Sequence, residues 1–377
     1  MSVRLFFTLS LAIASFLFAG CAETSLTKAV GKNAWQKSAD GTYSKIDVLF
    51  ATDRAFGNTS SPDLFFSGAR SAKGDPLSYG IAEVAIPRDH RAARLESPKW
   101  WRLELNGDPS KHVSTLEIQT IEKTDFLKLL DLKSKQSNDG HLLIFIHGFN
   151  TTFDDGIRRL AQLTYDLGFD GAPLLFSWPS QGGVEHYIAD ANNIEWSSRR
   201  FSALLGQVSS QANVKRITLI AHSMGNRLLA QMLNSIAQSP GGEKIKEVIF
   251  AAPDIDASTF CETVPPALKE IRSHAILYAS KNDFALNVSH QLNTYRRAGD
   301  AAPQPVVDSA FDSVDASQVN SSLIGHSYYA DSQSIVADIF SLLRGMTATD
   351  RGLVQQKAKT ESLCSPTGEY WLFKHAD

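Results

Sequence analysis

The stretch Ile217-Thr218-Leu219-Ile220-Ala221-His222-Ser223-Met224-Gly225 decides how the rest of the chain is read. An apolar run ends in small residues around a serine, and Gly225 to Ala237 then continues with helical spacing. A serine on a strained strand-to-helix turn needs small neighbours two positions before and after it, because the turn brings those positions together. Ala221 and Gly225 meet that need. The segment therefore has the form of a G-x-S-x-G nucleophile elbow, with alanine in place of the first glycine. Ser-x-Gly by itself usually marks only a turn. The buried strand before it and the helix after it make Ser223 a candidate nucleophile.

Working outward, the chain alternates. Leu142-Leu143-Ile144-Phe145-Ile146 is a continuous apolar run, as a buried parallel strand requires. A helix is predicted over Phe153–Leu167, a strand over Pro173–Trp178 and a helix over Ala189–Gln211. After the elbow come a strand over Glu247–Ala252, a helix within Phe260–Ile271, a strand over His274–Ala279 and a last helix over Ser332–Leu343. Such alternation predicts an α/β fold with a mostly parallel central sheet flanked by helices on both faces. The first third reads as an antiparallel lead-in, with strands over Lys45–Thr52, Ile81–Ile86 and Ser114–Ile121 and a Ser/Gly/Asp/Pro-rich loop over Asn58–Pro76.

In open α/β sheets, sites form beyond the carboxyl ends of the strands. A nucleophilic serine there needs an acid, a histidine and an oxyanion hole, the first two following it in the order Asp or Glu, then His. Asp283, just past the strand ending at Ala279, and His326, in the loop before the last helix, fit that order. Asp254 and Asp256 are rival acids at the preceding strand end, and Asp283 could instead cap a helix. His274 and His290 come too early in the order, and His222 adjoins the serine. The oxyanion donors expected are the backbone N–H groups of Met224 and Phe149, the latter in Ile146-His147-Gly148-Phe149-Asn150. His147 has no second ligand at metal spacing, so no metal is expected, and no cofactor either.

Together these segments resemble the α/β-hydrolase superfamily, and more narrowly the bacterial group known as domain of unknown function 900. The residues carrying the resemblance are Ala51-Thr52-Asp53-Arg54, Tyr79-Gly80, His147-Gly148-Phe149-Asn150, Phe176-Ser177-Trp178-Pro179-Ser180, Ala221-His222-Ser223-Met224-Gly225-Asn226 and Ala252-Pro253-Asp254-Ile255-Asp256. They span roughly residues 45 to 345. The resemblance implies the hydrolase fold and a Ser-His-acid site, but no substrate.

The N-terminus carries a different message. Met1 to Gly20 has one basic residue, Arg4, no acidic one, and an apolar stretch from Leu5 onward. It ends in Phe18-Ala19-Gly20-Cys21, which looks like a bacterial lipoprotein box with Phe in place of the usual Leu. On that reading residues 1–20 are a signal peptide, and 21–42 a lipidated Cys21 and flexible tether. Residues 43–346 then form the hydrolase domain and 347–377 an extension of unplaced structure. Ala22, rather than Asp, after the cysteine points to the outer membrane, facing the periplasm. With 37 basic and 40 acidic residues there is no electrostatic case for nucleic acid, and three cysteines exclude a disulfide-rich scaffold. Cys261 and Cys364 are left free to pair.

The expected protein is a lipid-anchored cell-envelope serine hydrolase of the esterase or lipase kind, taking a small-molecule or lipid ester and touching the membrane through its N-terminal lipid. The alternatives are a catalytically silent binding or assembly factor of the envelope on the same fold, and a peptidase or transacylase on the same triad.

Overall fold

A computed structural model describes residues 35–373 except 60, 75, 99–106, 284–285, 287–288, 290–293, 320–327, 360–362 and 366. The apolar runs of the sequence become the centre of a large sheet. Strands β7 (His141–Ile146), β8 (Ala172–Ser177) and β9 (Arg216–His222) are almost wholly buried, joined by β10 (Ile245–Ala251), β11 (His274–Ala279) and β12 (Asp312–Asp315). All of these neighbours pair in parallel. Burial on both faces is what a continuous apolar run demands, since helices cover each side.

Among the described residues the principal helices are α1 (Lys123–Gln136), α2 (Phe153–Asp166), α3 (Tyr187–Ser209), α4 (Gly225–Ala237), α5 (Ala257–Ile271), α6 (Tyr328–Asp331) and α7 (Gln333–Leu342). Local chemistry sets where several begin. Thr152 and Asp155 form a reciprocal capping box at α2, Asp256 caps α5 through Thr259 N–H, and Ser332 caps α7 through Ile335 N–H. Two apolar clusters form the core, one on each side of the sheet. Leu142, Ile144 and Ile146 belong to one, Leu143 and Phe145 to the other. That division follows from the alternation of side chains along a strand.

The lead-in is antiparallel, as expected: β2 (Tyr43–Thr52) pairs with β5 (Ser78–Pro87), and β5 with β6 (Ser114–Ile121). Strand β2 also joins β8 in parallel, which fuses the lead-in to the main sheet. Inside the region expected to be loop lies β4 (Phe66–Arg70), which forms a separate hairpin with β3 (Arg54–Phe56) just before that region. Stacked Phe56 and Phe66 rings, 4.8 Å apart, hold it where the Ser/Gly/Asp/Pro composition had suggested only loop.

Two other expectations need correcting, and one helix is added. Residues 35–37, within the segment expected to be tether, form β1 (Trp35–Lys37), which pairs with β2, and Trp35 packs against Tyr165 at 5.7 Å. Helix α1 was not foreseen. The segment 347–377 is no separate extension: β13 (Leu353–Lys357) and β14 (Glu369–Phe373) extend the sheet, β14 pairing in parallel with β12. Arg351 pairs with Asp338 at 2.8 Å, and a disulfide joins Cys261 to Cys364. The parallel partner of β14 and the disulfide partner of Cys364 both lie far away in sequence, so neither is visible in the segment itself.

The order β10-β9-β7-β8-β2 contains the reversal that matters for function. From β7 the chain moves to β8 on one side, then returns to β9 on the other. Crevices for ligands open at such switch points, beyond the carboxyl ends of the flanking strands.

Candidate active site

Ser223 stands at that reversal. It follows β9 directly, precedes α4, and has φ of 50°, a left-handed backbone that a residue with a side chain adopts only under constraint. Its N–H donates to the Ala251 carbonyl at 3.0 Å, and its carbonyl accepts from Asp254 N–H and the Asn226 side-chain amide. The strained turn is thus bonded on both sides. Asn150, after β7, and Ala252, after β10, share the left-handed backbone, with φ of 53° and 47°. Three neighbouring strand ends therefore turn sharply around one place.

The need for small residues is visible in the packing. A Cβ on Gly225 would lie 2.6 Å from the His147 carbonyl oxygen, and one on Gly148 would lie 2.7 Å from His222 Nδ1 and 2.9 Å from Ser223 Cβ. The loop after β7 thus packs directly on the serine turn. Ala221 is fully buried, and Met224 leads into α4. The first amides of a helix lack partners inside it, which suits Met224 N–H to a developing negative charge. Phe149 lies half-buried in the facing loop, its ring edge-on to Tyr187 at 5.4 Å.

Asp283 is buried just past β11, and its Oδ1 accepts from Leu286 N–H at 3.0 Å. It therefore has the capping contact weighed as its bland role. A carboxylate has a second oxygen, so the contact is compatible with orienting a histidine. His326 lies outside the described residues, as do the rival His290 and the Cys21 segment. Of the rival acids, Asp256 caps α5. Asp254 accepts from Arg297 Nε at 2.8 Å, Tyr187 Oη at 2.7 Å, Arg227 and Ser289. Burial works against its ionised form, but Arg227 and Arg297 outweigh it and hold its carboxyl below the usual range. Asp254 ties the elbow to α3 through Tyr187.

His147 is a neutral structural residue here. Burial, then the charge of Arg54, pull its pKa down to about 3. Its ring stacks on Trp178, whose Nε1–H donates to the His147 carbonyl at 2.8 Å. Among the described residues, no three His, Cys, Asp or Glu side chains are placed to hold a metal ion.

Arg54 belongs to the motif Ala51-Thr52-Asp53-Arg54, which in the sequence carries no role for it. It is buried to 1% exposure beneath the site and bonds to the loops after β7 and β8. The only signal was a charged pair, Asp53-Arg54, following the apolar run Val48–Ala51.

A parallel sheet covered on both faces, with a strained serine between a strand and a helix at the switch point, defines the α/β-hydrolase class. Within it, residues 122–344 match the family described as "Alpha/beta hydrolase of unknown function (DUF900)", and the chain belongs to that family. It is also similar to "Uncharacterized protein alr1448" of Nostoc sp. (strain PCC 7120 / SAG 25.82 / UTEX 2576), 26% identical over 154 residues, which cover 34% of this chain and 39% of that protein. The match thus spans well under half of that relative's length. Among solved structures, similarity extends to a predicted CIB-like hydrolase from Thermoplasma acidophilum at 14% identity and a TM-score of 0.31, covering 61% of this chain and 91% of that one.

Proposed function

We propose that the chain is a serine hydrolase acting on a carboxylic ester, exported and held at the cell envelope by lipid on Cys21. The observation that carries the reading is the left-handed Ser223 in contact with the Gly148 loop, since strain at a nucleophile is retained where the surrounding structure over-determines it. In this scheme Ser223 Oγ attacks the ester carbonyl while His326 takes its proton, and Asp283 orients the imidazole. The N–H groups of Phe149 and Met224 hold the oxyanion. His326 then protonates the departing alcohol, and water, deprotonated by His326, releases the acid from the acyl-enzyme.

Export is supported by the lipoprotein-like Phe18-Ala19-Gly20-Cys21 and by the Cys261–Cys364 disulfide, a bond that persists in oxidising compartments. One acyl chain binds a membrane only marginally, so the anchor requires the full multi-chain lipoprotein modification.

An organophosphonate probe tests the chemistry. Covalent labelling of the wild type, lost in a folded Ser223→Ala variant, is expected; a well-folded wild type that takes up no probe between neutral and alkaline pH refutes the enzyme. Ser223 is only 2% exposed, and this favours a second reading, a catalytically silent binding factor that keeps the elbow for packing. Full rescue of a deletion phenotype by Ser223→Ala would select it.

A further inference from the structure

Arg54 begins β3, immediately after the long strand β2, and its guanidinium is wholly enclosed. Its Nε–H donates to Ser177 Oγ at 2.8 Å. One terminal nitrogen donates to the carbonyls of Ser67 at 3.2 Å and Ser180 at 3.0 Å. The other donates to the Thr151 carbonyl at 2.7 Å and lies 3.3 Å from His147 Nε2. A guanidinium has five N–H donors, and here each has an acceptor that is formally neutral. Among the described residues no carboxylate bonds to it directly, and burial pulls its pKa down to about 10.

Such a group is a poor source of stability, because a buried charge loses its hydration and gains no direct counter-ion. What it does accomplish is geometric. Its acceptors lie on the loop after β7 (His147, Thr151), the end of β8 (Ser177) and the loop after it (Ser180), and the β3–β4 hairpin (Ser67). Thr151 passes this hold on: its N–H donates to Ser180 Oγ at 3.3 Å and its hydroxyl to the Phe149 carbonyl at 3.2 Å. Ser180 is in turn held by Asp190 at 2.6 Å. For His147 Nε2 to accept from Arg54, its proton must sit on Nδ1, where the Gly148 carbonyl stands 2.8 Å away. Both sides of the Gly148–Phe149 segment are therefore restrained by contacts that converge on one side chain.

We propose that Arg54 is a positioning residue for the oxyanion loop, fixing the Phe149 peptide through Thr151 and His147 without touching substrate. The proposal rests on the reading of Phe149 as an oxyanion donor, and it gives a role to the Thr52-Asp53-Arg54 motif that the triad leaves unused. Lysine retains the charge at this position but lacks the planar fork that reaches three loops at once.

The test compares full-chain wild type with Arg54→Lys, Arg54→Met and Thr151→Val. Two measurements are made: hydrogen exchange of the amides of residues 147–152, and steady-state hydrolysis of p-nitrophenyl butyrate. In Arg54→Lys, exchange across 147–152 is expected to accelerate at least about tenfold while β7 and β9 stay protected. Its kcat should fall about 10²- to 10³-fold, the range for losing one oxyanion donor, with KM within about threefold. Thr151→Val should move both readouts in the same direction by less. A folded Arg54→Lys with wild-type exchange at 147–152, or one whose loss lies in KM alone, overturns the proposal. Should both Arg54 variants fail to fold, unchanged exchange and kcat in Thr151→Val overturn it equally. A wild type that neither hydrolyses the ester nor takes the phosphonate probe instead defeats the hydrolase reading, and the exchange measurement still decides whether Arg54 holds the loop.

Discussion

Gly148 and Ser223, on loops from different strands, are packed so tightly that a methyl group on Gly148 would stand 2.9 Å from Ser223 Cβ. Two of the atoms it would strike belong to backbone or Cβ positions of the strained turn, which cannot swing aside as a long side chain can. Gly148→Ala is therefore expected to push the loop away from the nucleophile. Displacements of about 1 Å cost on the order of 10²-fold in rate. Phosphonate labelling should slow by about that factor while circular dichroism stays native; labelling at the wild-type rate would show that the contact is not functional.

At Ser223 itself, strain and activity should separate. Ser223→Ala keeps a Cβ at φ of 50° and should leave stability nearly unchanged. Ser223→Gly removes the Cβ penalty of about 1–2 kcal/mol, partly offset by the greater freedom of glycine in the unfolded chain. The glycine variant should thus be about 1 kcal/mol more stable than the alanine variant in urea titrations, and both should be inert to the probe.

His90 supplies a pH dependence remote from the site. It lies between Glu96 at 2.8 Å and Asp166 at 2.9 Å. Burial opposes the imidazolium, but the hydrogen bonds to Asp166 and Glu96 outweigh it and raise the pKa to about 9. The folded form therefore holds its proton more tightly than the unfolded chain. The contribution, up to about 3 kcal/mol, is complete below pH 6.5 and disappears as pH rises through about 9. Urea midpoints of wild type and His90→Gln should differ at pH 6 and converge by pH 10; a constant difference would contradict the assignment.

Asp53 gives a pH dependence of the same sign in a lower window, as a cost rather than a gain. It is 0% exposed, and among the described residues neither carboxylate oxygen has a partner within bonding geometry. Burial pushes its pKa up to about 6, against the partial pull of nearby Ser197 and the Arg200 and Arg54 charges. Because the folded state binds the proton more tightly, stability falls as pH rises from about 4 through about 6. From 3.8 to about 6 the cost reaches about 3 kcal/mol, at about 1.4 kcal/mol per pH unit. Asp53→Asn should raise the thermal midpoint at pH 7 and leave it nearly unchanged at pH 3.5. Equal effects at both values would show that ionisation is not the cause.

The Cys261–Cys364 bond closes a span of 103 residues and ties the C-terminal strands to α5. Loops of that size are stabilised by up to about 4.7 kcal/mol in the chain-entropy view, and removing a native bond typically costs 2–5 kcal/mol. Replacing both cysteines by serine should lower stability by about 3–4 kcal/mol without altering the labelling rate per folded molecule. A thiol reductant should reproduce the loss in the wild type only.

Much of the body is written locally. Runs such as Leu142–Ile146 and Ile217–Ala221, and the helical spacing of Gly225–Ala237, place strands and helices because burial repeats with the period of the element. The elbow is legible for the same reason: a strained turn needs small neighbours two positions away, and Ala221 and Gly225 are close enough in sequence to be seen together. Thr152, Asp256 and Ser332 cap helices through contacts only three residues long, although the sequence reading assigns none of them that role.

What lay beyond reach was every relationship whose partners meet only through the sheet order. Asp254 stands in the sequence as a rival acid to Asp283, and nothing local announces its bonds to Arg297 and Tyr187, 43 and 67 residues away. The polar segment after Thr347 had no pattern of its own, since β14 is defined by β12 and the disulfide by Cys261. Arg54 is the sharpest case. Its type and position stood in plain view, but its hold on Thr151, 97 residues away, exists only because β2 lies beside β8 and β8 beside β7. Adjacent residues determine periodicity and turn chemistry by themselves; which charge is buried against which carbonyl is decided by the packing of distant strands.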